Sequence, residues 1–419
     1  MNPHPHDFAA LIGIDWADKT HAICLKTPGS KAVEQSVLVH QPQAIDDGAQ
    51  RLSARFGGRP VAVALEQSKG PLLYALCKYD FLVLFPVHPQ TAASYRQTWA
   101  PSRAKDDPSD ARLMVELLER HSDRLTIWKP QSQNIRTLGQ LVEMRRTLVQ
   151  DKVRLTNRLT AALKNYYPQA LELFEDKDTL IFCDFLGKWP TLQKARQARR
   201  DVLERFLKDH KSHYDSVNQK RIDTIKNATS LTDDPAIVVP YRLLVEALIV
   251  QLKATLLSIN AFEEKIETLF DAHPEAKLFK SLPGAAAIFA PRLLAAFGED
   301  RDRYQSADDL LAYAGIAPVI ERSGQKAWTH WRYACPTFLR QTFVEWVNQT
   351  IKFSFWARAY YQLQKDRGKT HQVAIRALAF KWIRILFRCW KNATPYDESK
   401  YLMALQQKGS PLLKSIAKT

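Results

Sequence analysis

Between residue 9 and residue 118 the hydrophobic period changes repeatedly, and the order of those changes restricts the fold more than any other feature. Residues 9 to 16, Ala-Ala-Leu-Ile-Gly-Ile-Asp-Trp, form an apolar run of strand length. Thr20 to Lys26 alternates apolar and polar residues after the polar turn Ala17-Asp18-Lys19, which predicts a hairpin. Gln35 to His40 supplies a third strand. The pattern then reads helix (Pro42 to Phe56), strand (Pro60 to Leu65), helix (Pro71 to Tyr79), strand (Phe81 to Val87) and helix (Pro108 to Leu118). A meander followed by strand–helix crossovers predicts an α/β domain with a mixed sheet and helices packed on it.

Acids interrupt this apolar pattern. Asp15 lies inside the first strand, and Glu66 ends the strand that begins at Pro60. A carboxylate buried there without a partner is costly. Asp107 and Asp110 open a helix at a spacing that puts both on one face. Asp106 competes with Asp107 as the partner of Asp110. Four acids from two strands and one helix, brought to one sheet edge, repel one another unless a cation joins them. Mg2+ is the hard cation suited to carboxylate oxygens and water, and two such ions can clamp both oxygens of a phosphodiester displacement. Each acid also has a local explanation: Asp15 as a turn cap, Asp107 and Asp110 as favourable charges at a helix N-terminus.

From about Gln131 to Tyr166 apolar residues recur at threes, fours and sevens with Arg and Lys between them. This predicts a long basic amphipathic helix, either a coiled coil or a helix packed within its own chain. Gly187 to Lys226 holds eleven Lys or Arg against five Asp or Glu and reads as polar helix or linker. A second long helix is expected from Tyr241 to Phe270, and residues 171 to 240 are too many for a structureless loop. Further on, Leu282-Pro283-Gly284 opens a helix and Asp308 to Gly315 forms another, a helix-hairpin-helix-like pair. Residues 322 to 391 carry fourteen Lys or Arg against Glu345 and Asp366 only, with six of the ten tryptophans. Aromatics among basic residues suit nucleic acid, although most of those tryptophans are better read as helix core.

The net charge of +16 points to a polyanionic partner. The five cysteines contain no CxxC pair, which argues against a zinc site or disulfide framework and fits free thiols in a reducing cytosol. No signal peptide is visible, and Tyr241 to Ile259, the most apolar stretch, is interrupted by Arg242, Glu246, Gln251 and Lys253, so no membrane span is expected.

Several segments together resemble the DEDD transposases of the insertion sequence 110 family. They are Gly13-Ile14-Asp15-Trp16-Ala17, Leu65-Glu66-Gln67-Ser68, Lys105 to Ala111, Leu282-Pro283-Gly284, Leu311 to Pro318 and Arg322-Ser323-Gly324. The resemblance implies an RNase H-like, RuvC-type domain over residues 1–125 and a helical coiled-coil and basic linker region over 126–277. A mostly α transposase domain over 278–395 and a tail over 396–419 complete the expected organisation. It implies that Asp15, Glu66, Asp107 and Asp110 bind Mg2+, that Ser323 is the nucleophile, and that a structured non-coding RNA guides the protein to DNA. Arg322, Lys326, Arg332 and Arg340 are the expected nucleic-acid contacts. Cys335-Pro336 stands before Leu339-Arg340 where many relatives have Gly-Asn. Read from its own residues, Ser323-Gly324 is a loop flanked by Arg322 and Lys326, and an ordinary turn explains it as well.

The expected protein is therefore an RNA-guided DNA recombinase of the prokaryotic cytosol, acting as a dimer or tetramer. The rival readings are a RuvC-type endonuclease that uses water and a nucleic-acid-binding protein without catalysis.

Overall fold

A computed structural model of the chain describes residues 4–66, 70–99, 107–212, 214–410 and 412–413. The chain divides into two compact units, residues 1–130 and 131–419.

The first unit is built on a five-stranded sheet in the order β3-β2-β1-β4-β5. Its strands are β1 (Ala10–Asp15), β2 (Thr20–Lys26), β3 (Val33–Val39), β4 (Val61–Leu65) and β5 (Leu82–Pro86). β1, β2 and β3 pair antiparallel, whereas β4 and β5 continue from β1 in parallel. The helices are α1 (Pro42–Phe56), α2 (Pro71–Leu76), α3 (Pro89–Trp99) and α4 (Asp107–His121). Strand periodicity explains the layering. Leu11, Ala62 and Ala64 face a core with Ala111, Met114 and Val115 of α4, while Ile12, Ile14, Val63 and Leu65 face a second core with Ile45, Leu72 and Leu73. This mixed sheet is consistent with an RNase H-like domain.

Gly13 permits the tightest contact in this unit. A Cβ on it would lie 2.0 Å from the Ala111 carbonyl oxygen and 2.8 Å from the Met114 Cβ, so α4 rests directly on β1. Backbone on both sides leaves no rotamer to relieve that clash. Gly13→Ala is expected to lower stability by more than about 3 kcal/mol, at the top of the range for overpacking. Denaturant unfolding checks this, and an unchanged midpoint would mean that α4 can lift from the strand.

The second unit is largely helical. Two long helices organise it: α5 (Gln133–Leu163) and, after α6 (Ala170–Leu173), α7 (Leu180–Lys188), α8 (Leu192–Gln197), α9 (Arg200–Asp209) and α10 (Asp215–Asn227), the 37-residue α11 (Pro235–Asp271). Val142 of α5 shares a core with Ile266 and Phe270, and Leu159 shares another with Leu248 and Leu252, so α5 and α11 run antiparallel. Arg145 and Glu263 form an ion pair between them. The basic helix thus packs within its own chain. The polar stretch 187–226 proves to be folded: Phe182, Phe185, Trp189 and Phe206 form an aromatic core that α8, α9 and α10 cover. By length and composition α11 could cross a membrane, but Val245, Leu248, Ile249, Leu252, Ile259 and Ile266 along one side of it are buried in protein.

Beyond α11 come α12 (Ala276–Lys280), α13 (Ala286–Phe297) and α14 (Ala307–Tyr313). A hairpin of β6 (Val319–Ser323) and β7 (Lys326–His330) follows, then α15 (Thr337–Phe353), α16 (Phe355–Asp366), α17 (His371–Lys391) and α18 (Glu398–Gln407). The Leu282-Pro283-Gly284 turn joins α12 to α13 and packs against α15, where a Cβ on Gly284 would meet Phe353 and Gln349 at 3.0 and 3.1 Å. Trp346, Trp356, Trp382 and Trp390 are fully buried. Each indole N–H donates: to the Pro283 carbonyl, the Tyr396 hydroxyl, the Thr350 hydroxyl and the Gly298 carbonyl respectively. Four of the six tryptophans in the basic region are therefore core, while Trp328 and Trp331 remain exposed.

Candidate active site

Asp15 and Glu66 lie at the same end of the first unit's sheet. Ile14 and Leu65 are partners on the parallel strands β1 and β4, so Asp15 and Glu66, each one residue on, are neighbours on strands about 4.8 Å apart. Alternation places both on the face that α4 covers. α4 reaches that face because Gly13, two residues before Asp15, lets Ala111 touch the strand. Asp110, next to Ala111, is only 1% exposed. Its Oδ1 accepts from Arg96 Nε of α3 at 2.6 Å, and its Oδ2 is buried with no partner among the described residues. Asp107 begins α4 one turn earlier and is exposed. Asp106, the competing acid, lies outside the described residues, as do Lys105, Gln67 and Ser68.

Among the described residues no three His, Cys, Asp or Glu side chains are close enough to enclose a metal ion. The donor chemistry nevertheless fits a hard divalent cation, since every candidate offers carboxylate oxygen. The buried Asp110 Oδ2 is the clearest sign. An acceptor left unsatisfied costs about 1–3 kcal/mol, and a cation or its water would satisfy it.

Sequence reasoning missed two residues around this edge. Arg96 neutralises Asp110 from a helix that gives little periodic signal, because Ala92 is buried while Thr91, Ala93 and Ser94 are exposed. His21 is fully buried; its Nδ1 accepts from the Ala17 amide at 3.3 Å and its Nε2 contacts His40 Nδ1 at 2.9 Å. It fixes the turn that follows Asp15. Burial, then the neighbouring His40, lower its pKa and keep the ring neutral.

Ser323 belongs to the other unit. The expected loop is in fact the end of a strand: Ser323 closes β6, pairs with Lys326 across the turn, and precedes the two-residue turn Gly324-Gln325. Gly324 has φ of 58°, the positive value that glycine supplies at the first central position of a type II′ hairpin turn. Arg322, Ser323 and Lys326 are all exposed. No buried face gives this hairpin an alternating apolar pattern, which is why its sequence reads as loop. Glu321 braces it, accepting from Trp328 Nε1 at 2.7 Å and pairing with His330 Nε2 at 2.8 Å. Arg332 and Arg340 lie past the hairpin root, in the turn before α15 and in its first turn.

Two transposase family models match the chain in order. The DEDD transposase model of IS110 matches residues 12–168, and the model described as "Transposase IS116/IS110/IS902 family" matches residues 276–362, together more than half of the chain. The chain belongs to the IS110 family of transposases. Similarity to family members runs nearly end to end. The "Mini-circle putative transposase for IS117" of Streptomyces coelicolor is 27% identical, over 95% of this chain and 97% of its own length. The "Insertion element IS110 uncharacterized 43.6 kDa protein" of the same organism is 26% identical over 93% and 96%. The "Insertion element IS900 uncharacterized 42 kDa protein" of Mycobacterium paratuberculosis is 25% identical over 73% and 75%. This IS110-family chain is thus a transposase, an enzyme of DNA recombination, and DEDD transposases generally use divalent metal.

Proposed function

We propose that this transposase cuts and rejoins DNA at the ends of its element and at a target, through a serine ester and under the guidance of a structured RNA. The observation that carries the reading is the pair Asp15 and Glu66, side by side on the face that α4 covers with Asp110, in a chain whose second matched segment presents Ser323 at an exposed hairpin tip. Asp15, Glu66, Asp107 and Asp110 would hold Mg2+, which supplies positive charge at the scissile phosphate. The Ser323 Oγ loses its proton and bonds to phosphorus. The departing strand oxygen breaks away and takes up a proton, and the energy of the phosphodiester is kept in the ester. Attack on that ester by a strand hydroxyl frees Ser323 and rejoins DNA, so no nucleotide triphosphate is needed. Arg322 and Lys326, which flank the serine, would neutralise the phosphate.

The test supplies element-end and target duplexes with Mg2+, with and without the element's own transcript. Recombinant junctions that depend on the transcript support the reading. Junctions equally abundant without it remove the guide, and cut ends with no protein–DNA intermediate favour a RuvC-type endonuclease using water.

A homo-oligomer belongs to this reading, because strand exchange needs more than one active site. The outer side of α11 supports it. Leu243, Val250 and Leu257 are 55%, 67% and 57% exposed at intervals of seven, with Ala247 and Ala254 exposed between them and Ala261 exposed beyond. This spacing matches that of a coiled-coil seam. An antiparallel second copy sets Val250 against Ala247, Leu243 against Ala254, and Glu246 against Lys253. Val250→Glu, outside every core, is expected to weaken self-association at least about 100-fold by burying an unpaired charge. Sedimentation of wild type and variant decides it; equal masses would place the oligomer contact elsewhere.

A further inference from the structure

The root of the β6–β7 hairpin carries a cluster of arginines that no carboxylate among the described residues pairs with. Trp331 follows β7, and the Arg376 guanidinium of α17 stacks on its indole face while that of Arg340 lies 6.0 Å from the ring centre. Arg332 is adjacent. Among the described residues no carboxylate forms an ion pair with Arg332, Arg340 or Arg376. Instead the Nε atoms of Arg332 and Arg376 are both buried without an acceptor. Arg376 donates to the Gly315 carbonyl at 3.4 Å. A buried guanidinium ordinarily finds a carboxylate, as Arg292 of α13 does with Glu345 in this same unit. At the hairpin root burial first, and the like charge of Arg340 second, push the pKa of Arg376 down to about 10. The neighbouring end of α15 adds to the imbalance, since its N-cap, Pro336, brings no side chain to the first amides.

We propose that Arg340 and Arg376, held against Trp331, form with the neighbouring Arg332 a binding site for a backbone phosphodiester of nucleic acid. A phosphate oxygen accepts from the half-buried guanidinium groups and offsets the repulsion between Arg340 and Arg376, while the indole keeps the guanidinium planes oriented. The placement gives the site a purpose under the function proposed above. The five residues of β7 span about 17 Å, which equals roughly five base pairs of duplex along its axis. A phosphate fixed at the hairpin root therefore sets where along the duplex the Ser323 tip comes down. Arg376 has no place in the motifs that mark the family resemblance and was invisible to sequence reasoning, lying in the middle of an amphipathic helix.

Binding is measured in EDTA with uncut nucleic acid, so the result holds whether or not Ser323 is the nucleophile. Full-length wild type, Arg376→Gln and Arg340→Gln are titrated over a salt series with a mixed-sequence DNA duplex and, separately, with the element's folded transcript. Loss of one phosphate contact is expected to reduce the slope of log affinity against log salt by about 1 and to weaken binding equally for all sequences. A reduced slope with DNA alone identifies a DNA phosphate, and with the transcript alone an RNA phosphate. Thermal unfolding is followed in parallel, and Arg340→Gln, at a half-buried position in the first turn of α15, covers the case in which Arg376→Gln fails to fold. Unchanged slopes with both ligands in a folded variant overturn the proposal. A lowered unfolding temperature with unchanged slopes does so too, because it makes the cluster a packing device for Trp331.

Discussion

Ser323→Ala protein is expected to bind DNA and RNA as wild type does, form no covalent DNA adduct, and recombine at least about 1,000-fold more slowly, the scale set by removal of a nucleophile. The structure makes this a clean experiment. Ser323 is exposed at a two-residue turn, the hairpin pairs through its backbone and through Glu321, and Ser323 belongs to none of the hydrophobic cores. Loss of activity cannot then be attributed to unfolding. A denaturing gel of protein with labelled DNA reads the adduct, and mass spectrometry of the linked peptide locates it. An adduct on Tyr333, or wild-type recombination by the alanine variant, would return Ser323-Gly324 to an ordinary turn. Because the acids lie in residues 1–130 and Ser323 in 131–419, mixing Ser323→Ala with Asp15→Asn asks whether one site draws on two copies: restored product says that it does.

The second large effect concerns Asp110. Asp110→Asn is expected to reduce DNA cleavage at least about 1,000-fold, because an amide cannot replace a carboxylate as a ligand for a hard divalent cation. Cleavage is read on labelled element-end duplexes, with Asp15→Asn and Glu66→Gln alongside, and full activity in any variant removes that residue from the metal site. Stability separates these positions. Considered as four like charges, the acids predict that removing one relieves repulsion. The ion pair with Arg96 reverses this for Asp110: the carboxylate is buried, and neutralising it leaves Arg96 without its counter-charge. The amide oxygen still accepts from Arg96, so the cost should be about 1–3 kcal/mol rather than the larger loss of a broken buried pair. Denaturant unfolding of Asp110→Asn, Arg96→Gln and the double variant measures the coupling. Additive losses would show that the pair contributes nothing.

Periodicity made much of this architecture legible before any coordinates. The five strands were readable because each carries an apolar run or a clear alternation, and α1 and α4 because one face of each is apolar. Where burial is sparse the signal fails. α3 buries too few residues to register, and α8, α9 and α10 each bury only two or three among many charges, so a folded segment reads as polar helix or linker. The hairpin of β6 and β7 was hidden for the same reason. The carboxylates stood out because acids are anomalous within apolar strands. Arg96, His21 and Arg376 did not, because Arg and His are ordinary residues on helices and edges, and only their neighbours in space give them meaning.

The β6–β7 hairpin has one more implication. Its tip adds nothing to either core, so natural selection for a folded chain is nearly blind to residues 322–326. Any substitution there that preserves the backbone turn is tolerated by the scaffold. Whatever restraint evolution has imposed on those five positions across diverging elements must come from what the tip touches. Variation along this short stretch is therefore a record of chemistry with little contribution from folding.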